Sequence, residues 1–157
     1  MPGIYRYTGK PFSSFSSWNS TDNEYSAANA IVVTITTPTA LPPNLALGDA
    51  LPPGIVVSIG DGKSHYDNAA PGEAPYPLII TLSVQLSTGP SGEIVAWNID
   101  LSDEGVDGVP HQTSLELQTS GGLPEPASPK DQSSMSLSAS PEWWQGSTDV
   151  SGEWSQQ

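Results

Sequence analysis

Apolar and polar residues alternate with a period of two through most of this chain, and no stretch carries apolar residues at the spacing of an amphipathic helix. That regularity restricts the chain to strands. The clearest case runs from Leu78 to Ser87, where Leu78, Ile80, Leu82, Val84 and Leu86 share one face and Thr81, Ser83, Gln85 and Ser87 the other. Thr88-Gly89-Pro90-Ser91-Gly92 then supplies the residue types that turns demand. From Glu93 to Leu101 the alternation resumes, with Val95, Trp97, Ile99 and Leu101 predicted inward and Ala96, Asn98 and Asp100 outward. Two alternating runs around a short Gly-containing loop predict a β-hairpin, with Trp97 in the core.

Shorter strands follow the same rule. Within Ala28 to Thr37, Ile31, Val33 and Ile35 fall on one face, and Pro38 ends the run. Two Pro-Pro pairs between Pro42 and Pro53 block ladder pairing and predict an extended connector. Ile55 to Ile59 reads as another strand, and Gly60-Asp61-Gly62 as a tight turn into Ser64-His65-Tyr66. Thr113 to Thr119 points Leu115 and Leu117 inward. Residues 120–132 read as a Pro/Gly/Ser loop. Beyond it Met135, Leu137 and Ala139 alternate, and residues 140–157 are expected to form a C-terminal strand or tail, with Val150 and Trp154 closing an edge. Short strands separated by Gly/Pro turns predict an all-β fold: an antiparallel β-sandwich, jelly-roll-like, with polar faces in water. A chain of 157 residues fits one such domain, 1–157.

Composition narrows the function classes. Four Lys and Arg stand against 17 Asp and Glu, a net charge of −13. A field of that sign repels phosphate backbones and anionic membranes, which excludes nucleic acid as the expected partner. Charged residues make up only 13% of the chain, against about 25% in average domains. The surface is therefore built from hydroxyls, amides and backbone, as in many secreted β-proteins. With no cysteine there is no disulfide, thiolate metal site or Cys nucleophile. No apolar run approaches the ~20 residues of a membrane span, so no membrane insertion is expected. Met1 to Tyr5 lacks the basic and apolar regions of a signal peptide, and a mature or trimmed form is expected.

Candidate chemistry is sparse. The two histidines, His65 and His111, fall in predicted turns, and no serine sits in a nucleophile motif. Paired Asp or Glu residues leave no sequence signature, so a hydrolase with paired carboxylates ranks a distant third, and the chain is expected not to be an enzyme. The acidic loop around Asp103, Glu104 and Asp107 offers hard oxygen ligands of the kind Ca²⁺ takes, against the plainer reading of a solvated turn. Asp61 and Asp67 form a second carboxylate pair around another turn. Trp18, Trp143, Trp144 and Trp154 lie in polar surroundings. Neighbours on one strand point to opposite faces, so Trp143 and Trp144 cannot both face inward. These two are the candidate ligand contacts, since an exposed indole can stack on a sugar ring; the alternative is that they cover a sheet end. Asn19-Ser20-Thr21 fits a glycosylation sequon.

Several segments resemble one family. Tyr5-Arg6-Tyr7-Thr8-Gly9-Lys10-Pro11-Phe12 is similar to the "YTGNPF" opening of bacterial PEP-CTERM exported proteins. Leu51 to Gly62 resembles their apolar strand ending in a Ser-Asp-Gly-like turn. The hairpin from Ile80 to Leu101, with Ser91-Gly92-Glu93-Ile94 and Trp97-Asn98-Ile99, resembles their "TD-x-G-N-I-x-x-W-x-I" hairpin, and Gly152-Glu153-Trp154 their closing "PGTW". Leu123-Pro124-Glu125-Pro126 reads like the sorting tripeptide but is internal and lacks the apolar helix and basic tail. The resemblance implies a secreted bacterial protein linked to exopolysaccharide or the cell envelope, and it implies no catalytic residue. The expectation is a non-enzymatic extracellular structural, matrix or interaction domain, with a polysaccharide-binding module, Ca²⁺-assisted, as the alternative. Its partner would be an extracellular polysaccharide, a protein or another copy of itself, and no cofactor other than Ca²⁺ is expected.

Overall fold

The computed structural model describes residues 1–19, 24–69, 79–104, 113–123, 130–137 and 142–157. Among these, eleven strands run in chain order: β1 (Gly3–Thr8), β2 (Ser14–Trp18), β3 (Val32–Thr37), β4 (Val56–Gly60), β5 (His65–Asp67), β6 (Ile79–Thr88), β7 (Ile94–Glu104), β8 (Thr113–Gly121), β9 (Asp131–Leu137), β10 (Glu142–Thr148) and β11 (Glu153–Gln156). They form two antiparallel sheets packed face to face, a β-sandwich. Sheet A is five-stranded in the order β11-β1-β3-β4-β5, and sheet B six-stranded in the order β2-β10-β9-β8-β7-β6. Five consecutive strands, β6 to β10, make sheet B a meander, while β2 leaves sheet A to cover its edge. No helix long and apolar enough to cross a membrane occurs among the described residues.

Alternation decides which face of each strand is buried. Tyr5 and Tyr7 of β1, Val33 and Ile35 of β3, and Val57 and Ile59 of β4 point into the core from sheet A; Leu86, Ile99, Leu101 and Leu117 meet them from sheet B. Each such aliphatic side chain contributes about 1.5–3 kcal/mol on burial. At one end Tyr7, Trp97 and Trp154 form a three-ring cluster with centroids 5.2–5.9 Å apart, which joins the first and last strands of sheet A to β7 of sheet B. The hairpin is β6–β7 as expected, with one correction. Ser87 pairs with Ala96 but Thr88 pairs with Ile94, so Val95 is an extra bulged residue. The bulge reverses the alternation: Val95 is 46% exposed, while Ile94 and Ala96 are buried. Leu78 lies outside the described residues.

The expected loop at 120–132 is shorter. Ser120 and Gly121 extend β8, and Asp131 and Gln132 open β9; residues 124–129 lie outside the described residues. The C-terminal segment holds two strands: β10 is internal to sheet B and β11 pairs with β1. Val150 is exposed rather than part of the edge strand, and Ala139 lies outside the described residues.

What the sequence hid is a polar seam between the sheets. The Asp131 carboxylate, fully buried, accepts from Tyr7 Oη (2.8 and 3.0 Å) and from Thr119 Oγ1 (2.7 Å). Thr119 Oγ1 accepts from Trp97 Nε1 at 3.0 Å, and Tyr7 Oη from the Gly152 amide at 2.7 Å. Burial pushes the Asp131 carboxyl up to about 6, against the opposing pull of its Thr119 and Tyr7 hydrogen bonds. Burial, with the Asp131 charge beside it, also pushes the Tyr7 phenol up. A second link is Asp61, whose Oδ1 accepts from the Lys63 and Ser64 amides of its own turn (both 2.7 Å) and whose Oδ2 accepts from Ser133 of sheet B. These bonds satisfy the two buried carboxylates and tie sheet A to sheet B.

Candidate binding face

Each sandwich sheet has one face in the core and one in water, and the outer face of sheet B is the wider. Its cross-strand register aligns side chains into rows. One row crosses all six strands as Ser83, Asp100, Gln118, Gln132, Ser147 and Ser14; the next includes Thr81, Ser102, Glu116, Ser134, Gln145 and Ser16. At about 4.8 Å between strands, a six-strand row spans roughly 24 Å. These positions are hydroxyls and amides with two carboxylates, a lattice of donors and acceptors. Asp100 is partly buried among its neighbours, which raises its carboxyl above the ordinary range.

One feature breaks the polar pattern. In the β2–β10 pair Trp143 stands directly opposite Trp18. Residues paired across an antiparallel ladder project to the same face with Cβ atoms about 4.5–5.5 Å apart. Trp18 is 60% exposed and Trp143 half-buried, so two indoles stand side by side at the edge of the polar lattice. Together they make an apolar spot on an otherwise polar face.

The structure separates the two tryptophans expected to contact ligand. Trp144 faces inward, is 6% exposed and belongs to the core, so it is no surface contact; alternation along β10 permits only Trp143 outward. Its place beside Trp143 is taken by Trp18, which lies more than a hundred residues earlier. A short strand reading Ser-Phe-Ser-Ser-Trp signals an outward Trp, but nothing in the sequence gives its partner. Trp154 packs on Tyr7 and Trp97.

Asp103 and Glu104 fall at the end of β7; their side chains, with Asp107 and His111, lie outside the described residues. Among the described residues no three His, Asp or Glu side chains gather into a group that could hold a metal. Asp61 and Asp67 do not act as a pair. Asp61 is turned into the seam, and Asp67 Oδ1 accepts from the Ala69 amide at 2.8 Å. His65 Nε2 lies 3.4 Å from Ser58 Oγ on the outer face of sheet A. Ser20 and Thr21 of the sequon lie outside the described residues.

Comparison of the chain with protein-family models, with curated proteins and with solved structures finds no match.

Proposed function

We propose that this chain is a non-catalytic module of an extracytoplasmic protein that lays a neutral polysaccharide along the outer face of sheet B. The observation that carries this reading is the register pair Trp18–Trp143 at the edge of a Ser/Thr/Gln lattice. A pyranose presents an apolar C–H face and a rim of hydroxyls. An indole matches the first through its electron-rich ring face, and rows of hydroxyls and amides match the second. The net charge of −13 favours a neutral over an acidic chain for a face this broad. The resemblance to exported proteins linked to exopolysaccharide points the same way.

Intrinsic tryptophan fluorescence, titrated with soluble neutral polysaccharides, tests the proposal. The titration is run with Ca²⁺ and again with a chelator, because the Asp103–Glu104–Asp107 segment adjoins this sheet in sequence. A saturable shift is expected that vanishes in the Trp18→Ala/Trp143→Ala double variant. No shift with any polysaccharide, or an unchanged affinity in the double variant, would defeat the reading.

A second reading, a matrix or self-associating domain, is favoured by β2 itself. Among the described residues it is the outermost strand of sheet B, and its own sequence carries no charge or proline to deter strand pairing. Sedimentation separates the two: association that survives removal of both tryptophans and occurs without polysaccharide supports assembly through the edge.

A further inference from the structure

The chain has only four Lys and Arg residues and two histidines, yet three of these six basic side chains line one depression on the outer face of sheet A. This cavity, of about 410 Å³, lies on the opposite side of the sandwich from Trp18 and Trp143. Its floor is set by register. Arg6 of β1 pairs with Thr34 of β3, which pairs with Ser58 of β4, placing a guanidinium and two hydroxyls in one row. In the adjoining row Gly60 pairs with Val32 and with His65. Gly60 keeps the floor open, because a Cβ there would stand 2.8 Å from Ser64 O and 3.3 Å from His65 Nδ1. The turn from Gly62 to Ser64 forms one wall and carries Lys63.

The carboxylates nearby are committed elsewhere. Asp61 holds its turn from within, accepting the Lys63 and Ser64 amides and bonding to Ser133 across the core. Asp67 accepts the Ala69 amide, and Glu153 pairs with Lys10 at 3.4 Å. Glu24 reaches Lys63 at 2.6 Å and neutralises it in part. Arg6 makes no ion pair among the described residues. A residue with a planar five-donor fork thus lines a cavity that is also lined by a histidine and two hydroxyl residues of its row, on a protein whose overall field repels anions.

We infer that this cavity is a binding site for a single oxyanion group, a sulfate, phosphate or carboxylate, with Arg6 as its principal ligand. Arg suits the role because its fork meets two oxygens of such a group at once. Thr34, Ser58 and His65 supply further polar contacts around the group. The repulsive global field makes the site selective for one localised anion rather than for a polyanion laid over the surface.

The test is amide-resolved NMR titration of the whole chain with sodium sulfate, sodium phosphate and the monosaccharide galacturonate, each against NaCl at matched ionic strength. Saturable shifts are expected at Gly60, Gly62 and Ser64, above the NaCl control, for at least one of the three. Binding of sulfate or phosphate alone identifies a free inorganic anion, and binding of galacturonate identifies a carboxylate carried on a ligand. Arg6→Gln is expected to weaken the affinity at least tenfold, and Glu24→Gln, which releases Lys63, to tighten it. Trp18→Ala is expected to leave it unchanged, which keeps the result separate from the polysaccharide reading. Shifts that never exceed the NaCl control, or an Arg6→Gln variant that binds as tightly as the natural chain, would overturn the assignment. Arg6 is exposed, and an unaltered core spectrum certifies that the variant is folded.

Discussion

Asp131→Asn removes a charge from the interior while keeping the shape of the side chain and one acceptor for Thr119 or Tyr7. In the native chain burial holds the Asp131 carboxyl at about 6, whereas an unfolded Asp titrates near 3.9. The folded state therefore binds this proton more tightly. Folding takes up a proton between about pH 4 and pH 6, and stability falls as pH rises through that window. Integrated from pH 4 to pH 7, the difference of about two pKa units contributes about 2 kcal/mol in favour of the acidic end. For a domain of this size that is roughly 4–8 °C in melting temperature. The other carboxylates titrate in the same range, so the quantity to measure is a difference between proteins. Melting curves from pH 4 to pH 7 are recorded for the natural chain and for Asp131→Asn, and the natural chain's stability relative to the variant's is expected to fall by that amount from pH 4 to pH 7. Superimposable profiles would refute the reasoning, because Asp131 would then carry its charge no more reluctantly inside than outside.

Two further predictions concern the same interior and a third the outer face of sheet B. A Cβ on Gly146 would stand 2.5 Å from the Phe12 ring and 2.9 Å from Tyr25 Cβ, so Gly146→Ala is expected to cost about 1–3 kcal/mol in urea unfolding. An unchanged midpoint would mean that Phe12 and Tyr25 can withdraw. Ser133→Ala removes the link from sheet B to the Asp61 carboxylate and is expected to cost about 1–3 kcal/mol. A loss near zero would show that the turn amides alone satisfy Asp61. Trp18→Ala, at a 60% exposed site, is expected to change stability by no more than about 0.5 kcal/mol, so that any loss of binding is not a loss of fold.

How legible each element was depends on what its inward face carries. The β6–β7 hairpin and β3, β4 and β8 were readable because Leu, Ile and Val occupy alternate positions and bury there. Strand β9 reads Asp-Gln-Ser-Ser-Met-Ser-Leu, and its inward positions include Asp131 and Ser133. Those residues look like loop until the hydrogen bonds that Asp131 accepts from Tyr7 and Thr119 and that Ser133 donates to Asp61 are seen, and Tyr7 and Asp61 are remote in sequence. Strand β10 hides in the same way: its inward residues are Trp144, Gly146 and Thr148, and Gly146 is small because Phe12 and Tyr25 fill the space above it. The Val95 bulge follows from the ladder partner, which no local pattern specifies. For the candidate face, alternation required that one of Trp143 and Trp144 point outward. Which one, and that Trp18 stands opposite it, are matters of register, and register is a property of the folded sheet.

The most direct test of the central proposal is to map where a polysaccharide touches the molecule. Amide and indole shifts are followed by NMR while a soluble neutral polysaccharide is added. The account predicts saturable changes at the Trp18 and Trp143 indoles and along Gln118, Gln132 and Gln145, with Trp97, Trp144 and the sheet A positions Thr34 and Ser58 unmoved. Changes centred on any other surface, or none at concentrations that saturate known binding modules, would contradict it.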